Sequence, residues 1–524
     1  MKLGGIVVAA MVLILSGCSV VQDGNKETVF SPNVESLRQY KCPEWFRDAK
    51  FGIYCHWNPQ SSVKSPSTGW YARHMYDENR PEYKEHLQFY GHPSEFGYKD
   101  IIREWKADKF NADEWVKLFK KAGAKYIVAM AVHHDNFDMW DSKYQPKWNS
   151  MNYGPKTDVV GAIRKATLKE GLRFGVTTHL ARTYSWLNTS KGADKQGPYA
   201  GVPYDGNDPA YKDLYLEKHD DINNKHPVNP PESWRNHWKN RIIDLIDKYH
   251  PDHLWFDGAL PFNNDGGQAG MDVVAHYYNH NAKLHGGKNE GVMCIKNYKA
   301  HGFYYEGAAS LNYERSRSAK ILDQPWQTDT SIGPWFYSSN AKYRSVTELI
   351  HELVDIVSKN GNVLLNVGPK GDGSFDEKAI ETLEGIGQWL SVNGQAIYKT
   401  RPWKVFGEDN VRYTTNGKVL YATVLKWQEG QLTLNSTKGW KPEDVKSVKL
   451  VGFGKADWSF GKDGLTVDVN KKPKAEHAFV LKISCNKPLS QMPAGEAQGP
   501  SSDEANKKAE KFGLDGQGGG KLGN

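Results

Sequence analysis

Cysteine is scarce, with only Cys18, Cys42, Cys55, Cys294 and Cys485 in 524 residues, and none stands at the close pair spacing of a zinc site. There is no H-E-x-x-H pair for a metalloprotease and no G-x-S-x-G elbow for a serine hydrolase. No glycine-rich phosphate loop follows a strand-like run, which removes the main support for a doubly wound nucleotide-binding sheet. Long runs of Lys and Arg are missing too. The 68 basic residues against 61 acidic ones leave a net charge of only +7, weak support for nucleic-acid binding. No cofactor is implied by any motif, and no metal is expected.

The apolar run Ile6–Leu15 is too short to span a bilayer. It follows Met1-Lys2 and ends in Leu15-Ser16-Gly17-Cys18, which resembles a bacterial lipobox. Residues 1–17 are therefore expected to be a signal peptide and Cys18 the lipidated start of the mature chain. Ser19 resembles the pattern sorted to an outer membrane, so a cell-envelope lipoprotein is expected, touching the membrane only through its lipid. The polar residues 18–40 read as a tether. Residues 486–524, rich in Gly, Ser, Lys and Pro, read as a disordered tail.

What the chain has in quantity is aromatic surface: 18 Trp, 27 Tyr and 19 Phe. Most such rings pack cores, but they also stack on the apolar faces of sugars. Between tether and tail, near-continuous apolar runs alternate with amphipathic ones. FGIYCHW (51–57), KYIVAMAVHH (125–134), RFGVTTHL (173–180), HLWFDGA (253–259), GVMCIKN (291–297) and NVLLNVG (362–368) read as strands buried on both faces. LNYER (311–315) and PWQTDTSI (325–332) are weaker. Helix signals stand between them: Asn111 with Glu114 forms a capping box closed by Gly123, a second helix starts after Thr157 and stops at Gly171, and a third runs from Ser233. The fold class is α/β, with a (β/α)8-type barrel over 41–395. From 396 to 485 short alternating runs joined by Asn-Gly, Gly and Pro predict a C-terminal antiparallel β-sandwich.

Working side chains of a parallel barrel sit where strands end. Four successive strand ends carry His56, then His133-His134-Asp135, then His179, then Asp257. His133 and His134 are neighbours, so on an extended strand they point to opposite faces and cannot share one ion. Carboxylate chemistry in a cleft of imidazoles and aromatic rings, as in glycoside hydrolysis, is what remains.

WFRDAKFGIYCHW (45–57), GWYARHMY (69–76), AKYIVAMAVHHDNFDMWDS (124–142), PDHLWFDG (251–258) and GNVLLNVGPKGDGSF (361–375) resemble, in order, the landmarks of glycoside hydrolase family 29, the retaining α-L-fucosidases. The resemblance implies a metal-free exo-acting enzyme that removes terminal α-L-fucose from glycans or polysaccharides by double displacement, with Asp257 as nucleophile. Its acid/base partner should be a later Glu, about 5–5.5 Å away, with Glu290, Glu306 and Glu314 as candidates. Glu314 stands in a Y-E-R segment like the family's, ahead of PWQTDTSIG, and is the one assigned. Sugar contacts implied by the motifs are His56, Trp70, Tyr71, His133 and His134; His179 joins them by strand position and Trp335 as a site wall. Two departures stand out: Gly69 replaces the family's Glu before Trp-Tyr, and Asn58 replaces a Gly after His56-Trp57. They leave open an α-L-galactosidase or sulfated-fucoside hydrolase of the same family. A third reading, from another class, is a carbohydrate-binding lipoprotein with weakened turnover.

Overall fold

The computed structural model describes Met1 and residues 29–66, 68–221, 226–298, 302–470 and 473–495 of the chain. Cys18 and most of the expected tail lie outside the described residues. All eight strand-like runs, including the two weaker ones, form one closed parallel barrel. Its strands are β1 (Phe51–Tyr54), β2 (Tyr126–Val132), β3 (Arg173–Thr178), β4 (His253–Phe256), β5 (Val292–Lys296), β6 (Ser310–Glu314), β7 (Trp326–Ser331) and β8 (Gly361–Asn366). Helices cover the outside, so β2 buries all seven of its residues and shows no alternation.

Strands β6 and β7 read weakly because their inward residues are polar. Gln327 accepts hydrogen bonds from the His253 ring (3.0 Å) and Tyr126 Oη (3.2 Å), and its own amide donates to Asn312 Oδ1 (2.8 Å). The Tyr126 ring fills the space beside β1, where a Cβ on Gly52 would lie 2.3 Å from it. That position admits only glycine.

The helix Ala112–Lys121 starts as its sequence signals, with Asn111 accepting from Glu114 N and Gly123 at φ +100° after its end. For Val159–Lys169 the cap is Asp158 rather than Thr157; its carboxylate accepts from Gly161 N at 2.9 Å. The helix Glu232–Tyr249 begins one residue before Ser233 and ends at His250 in a left-handed conformation.

Two of the expected boundaries shift. From Phe30 the chain does not hang as a tether. Phe30 exchanges backbone hydrogen bonds with the Asn279 side chain, and Phe30 and Tyr40 both pack on Tyr278. With Leu37 fully buried as well, residues 30–40 form a strap along the helix Gln268–Leu284. The apolar residues are spaced widely enough among polar ones to hide this in the sequence. Likewise the tail is packed as far as Gly495: Leu489 and Met492 are buried, and the Met492 and Pro493 carbonyls accept from Lys404 and Trp440.

The C-terminal domain is antiparallel, with six strands in one sheet and three in another around a shared apolar core. It is joined to the barrel through Asp355 on the helix Val346–Ser358, which takes Arg412 of the C-terminal domain (2.6 Å), Lys359 (2.8 Å) and Arg317 (3.1 Å). Burial alone would raise the Asp355 pKa, but these three cations bring it down to about 2. Asp355→Ala leaves two buried cations uncompensated and is expected to lower stability by about 3–5 kcal/mol. Calorimetric unfolding of the variant checks this; an unchanged transition would remove the joint from the account.

Candidate active site

Seven barrel strands contribute a residue at or just past the C-terminal end, His56, His133 with His134, His179, Asp257, Lys296, Glu314 and Asn366, and β7 contributes Asp329 from two residues before its end. The centre of the cluster is Lys296, the last residue of β5. Its side chain is 2% exposed, and its ammonium donates to Asp257 Oδ1 at 2.5 Å and to Glu314 Oε2 at 2.7 Å. Those two distances hold the bonded carboxylate oxygens no more than about 5.2 Å apart, short of the roughly 6.5–9.5 Å of an inverting pair.

Asp257 lies one residue past β4, its side chain 13% exposed, with its backbone N–H on Thr178 O at 3.1 Å. Burial would raise its pKa; its neighbours, Lys296 first and then His179, Arg182 and His134, hold it well below the usual range instead. The His134 and His179 rings stand 3.5 and 3.9 Å from Asp257 Oδ2. Burial pushes His134 down to about 3 and His179 well below its ordinary value, so both are neutral at pH 7. With both rings neutral, the ammonium of Lys296, the largest of these influences, chiefly keeps Asp257 ionised. The neighbouring Asp329 is the reverse case. It accepts from Asn312 Nδ2 and, at 3.4 Å, from Tyr54 Oη, yet burial raises its pKa to about 7.

The imidazoles are aimed by fixed partners. His56 donates from Nδ1 to Asn366 Oδ1 (2.9 Å), and the same amide donates to the Trp335 carbonyl (2.8 Å), so Asn366 sets both the ring and the wall. His134 Nδ1 donates to the His179 carbonyl at 2.7 Å. In both neutral rings Nε2 is thereby left as an acceptor for a hydroxyl. His133 and His134 do not point to opposite faces. Strand β2 ends at Val132, its pairing with β3 slips between Met130 and Val132, and the two rings sit 4.3 Å apart beside the same pocket. His133, His56 and His179 converge closely enough to share an ion, a grouping the adjacency argument overlooked.

Trp70 lies at the edge, edge-on to His134 at 5.9 Å and under the Arg182 guanidinium at 5.6 Å. Trp335 faces His56 at 5.3 Å and carries Arg315 on its ring at 4.4 Å. Tyr71 is placed differently from expectation: it is fully buried, with its hydroxyl on His86 Nδ1 at 2.8 Å. It packs beneath the site. Asn58 is also structural. Its side chain caps the turn Pro59–Ser62 through Gln60 N and donates to Asp135 Oδ2 at 2.7 Å, helping Tyr98 anchor the His133-His134-Asp135 segment. Glu290 sits at the opposite, N-terminal end of β5 in an ion pair with Lys288, and Glu306 is exposed. Glu314 pairs with Lys296, while its neighbours Arg315 and Arg317 turn elsewhere, Arg315 onto the Trp335 ring and Arg317 to Asp355.

The residues missed in the sequence are Lys296, Asp329, Asn312 and Asn366. Reading all eight strand ends, and not the first four, finds Lys296, Asp329 and Asn366.

Four buried neutral histidines make the site acid-labile. Burial brings His56 to about 4 and His134 to about 3, with His133 and His179 also depressed. A depressed folded-state pKa gives stability that is present above the unfolded value, about 6.5, and lost as pH falls through the folded one. Asp135 and Asp329, both raised to about 7, oppose this, because their contribution is lost as pH rises toward 7. Four groups outweigh two, so a net loss of a few kcal/mol is expected between about pH 6.5 and 5. A melting temperature that stays flat across that window would contradict the neutral-imidazole reading.

The sequence profile of α-L-fucosidases matches residues 18–395, and that of the α-L-fucosidase C-terminal domain matches 406–484. Human tissue α-L-fucosidase is 30% identical over 508 residues, covering 90% of this chain and 96% of its own. The bovine tissue enzyme is 32% identical over 473 residues, covering 87% and 91%. The structure of a Thermotoga maritima α-fucosidase in complex with fucose superposes with a TM-score of 0.68 at 27% identity, covering 87% of this chain and all of the other.

Proposed function

This chain belongs to the α-L-fucosidases of glycoside hydrolase family 29, and from that membership we propose that it removes terminal α-L-fucosyl groups from glycans with retention of configuration, Asp257 attacking and Glu314 moving the proton. The observation that carries this is the sharing of one buried ammonium, Lys296, by two carboxylates that it holds too close together for an inverting pair. In the first half-reaction an Asp257 oxygen bonds to the anomeric carbon as the glycosidic bond breaks. The bond's electron pair goes to the leaving oxygen, which takes the proton from Glu314. In the second, Glu314 takes a proton from water as the water oxygen attacks the same carbon, and the electron pair of the ester bond returns to Asp257.

Lys296 gives this sequence an electrostatic logic. Before attack the negative charge of the trio is on Asp257 and Glu314 holds the proton. After attack Asp257 is a neutral ester and Glu314 carries the charge. The buried ammonium faces one full carboxylate at each stage, so neither half-reaction strands an uncompensated charge in the pocket. The neutral imidazoles of His56, His133, His134 and His179, with Trp70 and Trp335, supply hydroxyl contacts and walls.

Proton NMR of the released sugar tests the mechanism. α-L-Fucose is expected to appear first and then mutarotate; β-L-fucose as the first product would rule out double displacement.

Gly69 supports a second reading. Nothing lies within 4 Å of the position its Cβ would take, so the family's carboxylate is replaced by open space next to Trp70. That room suits a glycone with an added hydroxyl or sulfate, and relative rates on aryl α-L-fucoside and α-L-galactoside decide between them. For location, Leu15-Ser16-Gly17-Cys18 supports anchoring at the cell envelope through a lipid on Cys18. Among the described residues no helix is long and apolar enough to cross a membrane.

A further inference from the structure

On the outside of the barrel, far from the sugar pocket, the helices Glu232–Tyr249 and Gln268–Leu284 bring Asp247, His276 and His280 together. His276 and His280 are four residues apart on one helix, so their rings share a face. His276 Nε2 lies 2.6 Å and His280 Nδ1 3.3 Å from the same oxygen, Asp247 Oδ1. Three ligand atoms around a tetrahedral zinc ion stand about 3.3 Å apart. The His280 distance matches that value, and a small rotation of the His276 ring would open the shorter one.

We propose that Asp247, His276 and His280 form a structural binding site for a divalent transition-metal ion such as zinc.

A second observation supports it independently. The other nitrogen of His280, Nε2, is hydrogen-bonded to His250 Nδ1 at 2.8 Å, and the two rings stack. A metal-binding imidazole ordinarily has its far nitrogen held in this way, which fixes ring orientation and tautomer. Two nitrogens and one carboxylate oxygen suit zinc, nickel or copper better than calcium or magnesium.

The placement indicates a clip and not a catalytic ion. His250 stands three residues before β4 and Asp257 one residue after it, so the cluster is at the N-terminal end of the strand whose other end holds Asp257. In this fold the N-terminal face serves stability. A bound ion would pin the helix before β4 to the helix after it.

The test is titration of the tag-free full chain with zinc chloride by calorimetry, with cobalt chloride absorption as a readout of coordination geometry. Saturable one-to-one binding is expected, with a rise in melting temperature. His276→Ala and His280→Ala should each abolish that rise and weaken binding by at least about ten-fold, and His250→Ala should weaken it by about ten-fold. Turnover on an aryl α-L-fucoside should be unchanged by zinc or by these variants. No saturable binding would overturn the proposal. So would binding that persists in His276→Ala and His280→Ala while suppressing turnover, because that ion would sit at His56, His133 and His179.

Discussion

Asp257→Gly is expected to reduce turnover on an aryl α-L-fucoside by at least about 10^4-fold while leaving the fold intact, as removal of a covalent nucleophile does. The ionised carboxylate is made by its setting: burial works against the charge, and its neighbours, Lys296 foremost, overcome it. Removing Asp257 leaves Lys296 paired with Glu314, so the buried ammonium keeps one partner and gross unfolding is not expected. The variant also gives a chemical readout. Azide can enter the space left by the side chain and attack the anomeric carbon from the nucleophile's side, producing β-L-fucosyl azide from an activated α-fluoride. Inverted product together with lost hydrolysis identifies the side from which Asp257 attacks. A variant that keeps more than about one per cent of parental turnover would remove the nucleophile from this position, since loss of a covalent nucleophile costs far more than about 100-fold.

Much of this site was legible because a parallel barrel puts chemistry at one end of every strand. Asp257 followed from that rule and from the L-W-F-D-G segment together. Lys296 escaped because GVMCIKN reads as an apolar strand with an ordinary basic end; only closure of β5 against β4 and β6 turns its ammonium inward between two carboxylates. Asp329 and Asn312 escaped for the opposite reason. Their strands are polar, and a polar strand looks weak until the barrel interior supplies Gln327, His253 and Tyr126 as partners.

Tyr71 shows where motif and position part. It adjoins Trp70, but on a short helix neighbouring residues diverge, and Tyr71 turns to His86 while Trp70 meets His134. Asn58 shows the same for a departure from pattern. The substitution near the pocket serves the backbone turn and Asp135, leaving Gly69, with open space at its Cβ position, as the departure on which the proposed second glycone rests.

For Glu314 the expected result depends on the leaving group, and that dependence is what separates an acid/base from a structural carboxylate. On a substrate whose leaving group needs no protonation, Glu314→Ala should form the glycosyl-enzyme at close to the parental rate and then stall. Without a base to deprotonate water, kcat should fall by about 10^2–10^4 and KM should fall with it, because the intermediate accumulates. Azide needs no base, so it should restore turnover and give α-L-fucosyl azide, the anomer opposite to that from Asp257→Gly. A merely structural role predicts neither the rescue nor the fall in KM. Glu306 is the competitor named by sequence, and its geometry is poor: it is exposed, with its backbone carbonyl held by Arg38 of the N-terminal strap. Rescue of Glu306→Ala by azide, with Glu314→Ala near the parental rate, would transfer the role. The geometry favours Glu314 because it shares Lys296 with Asp257, the arrangement a proton carrier needs if its charge is to alternate with that of the proposed nucleophile.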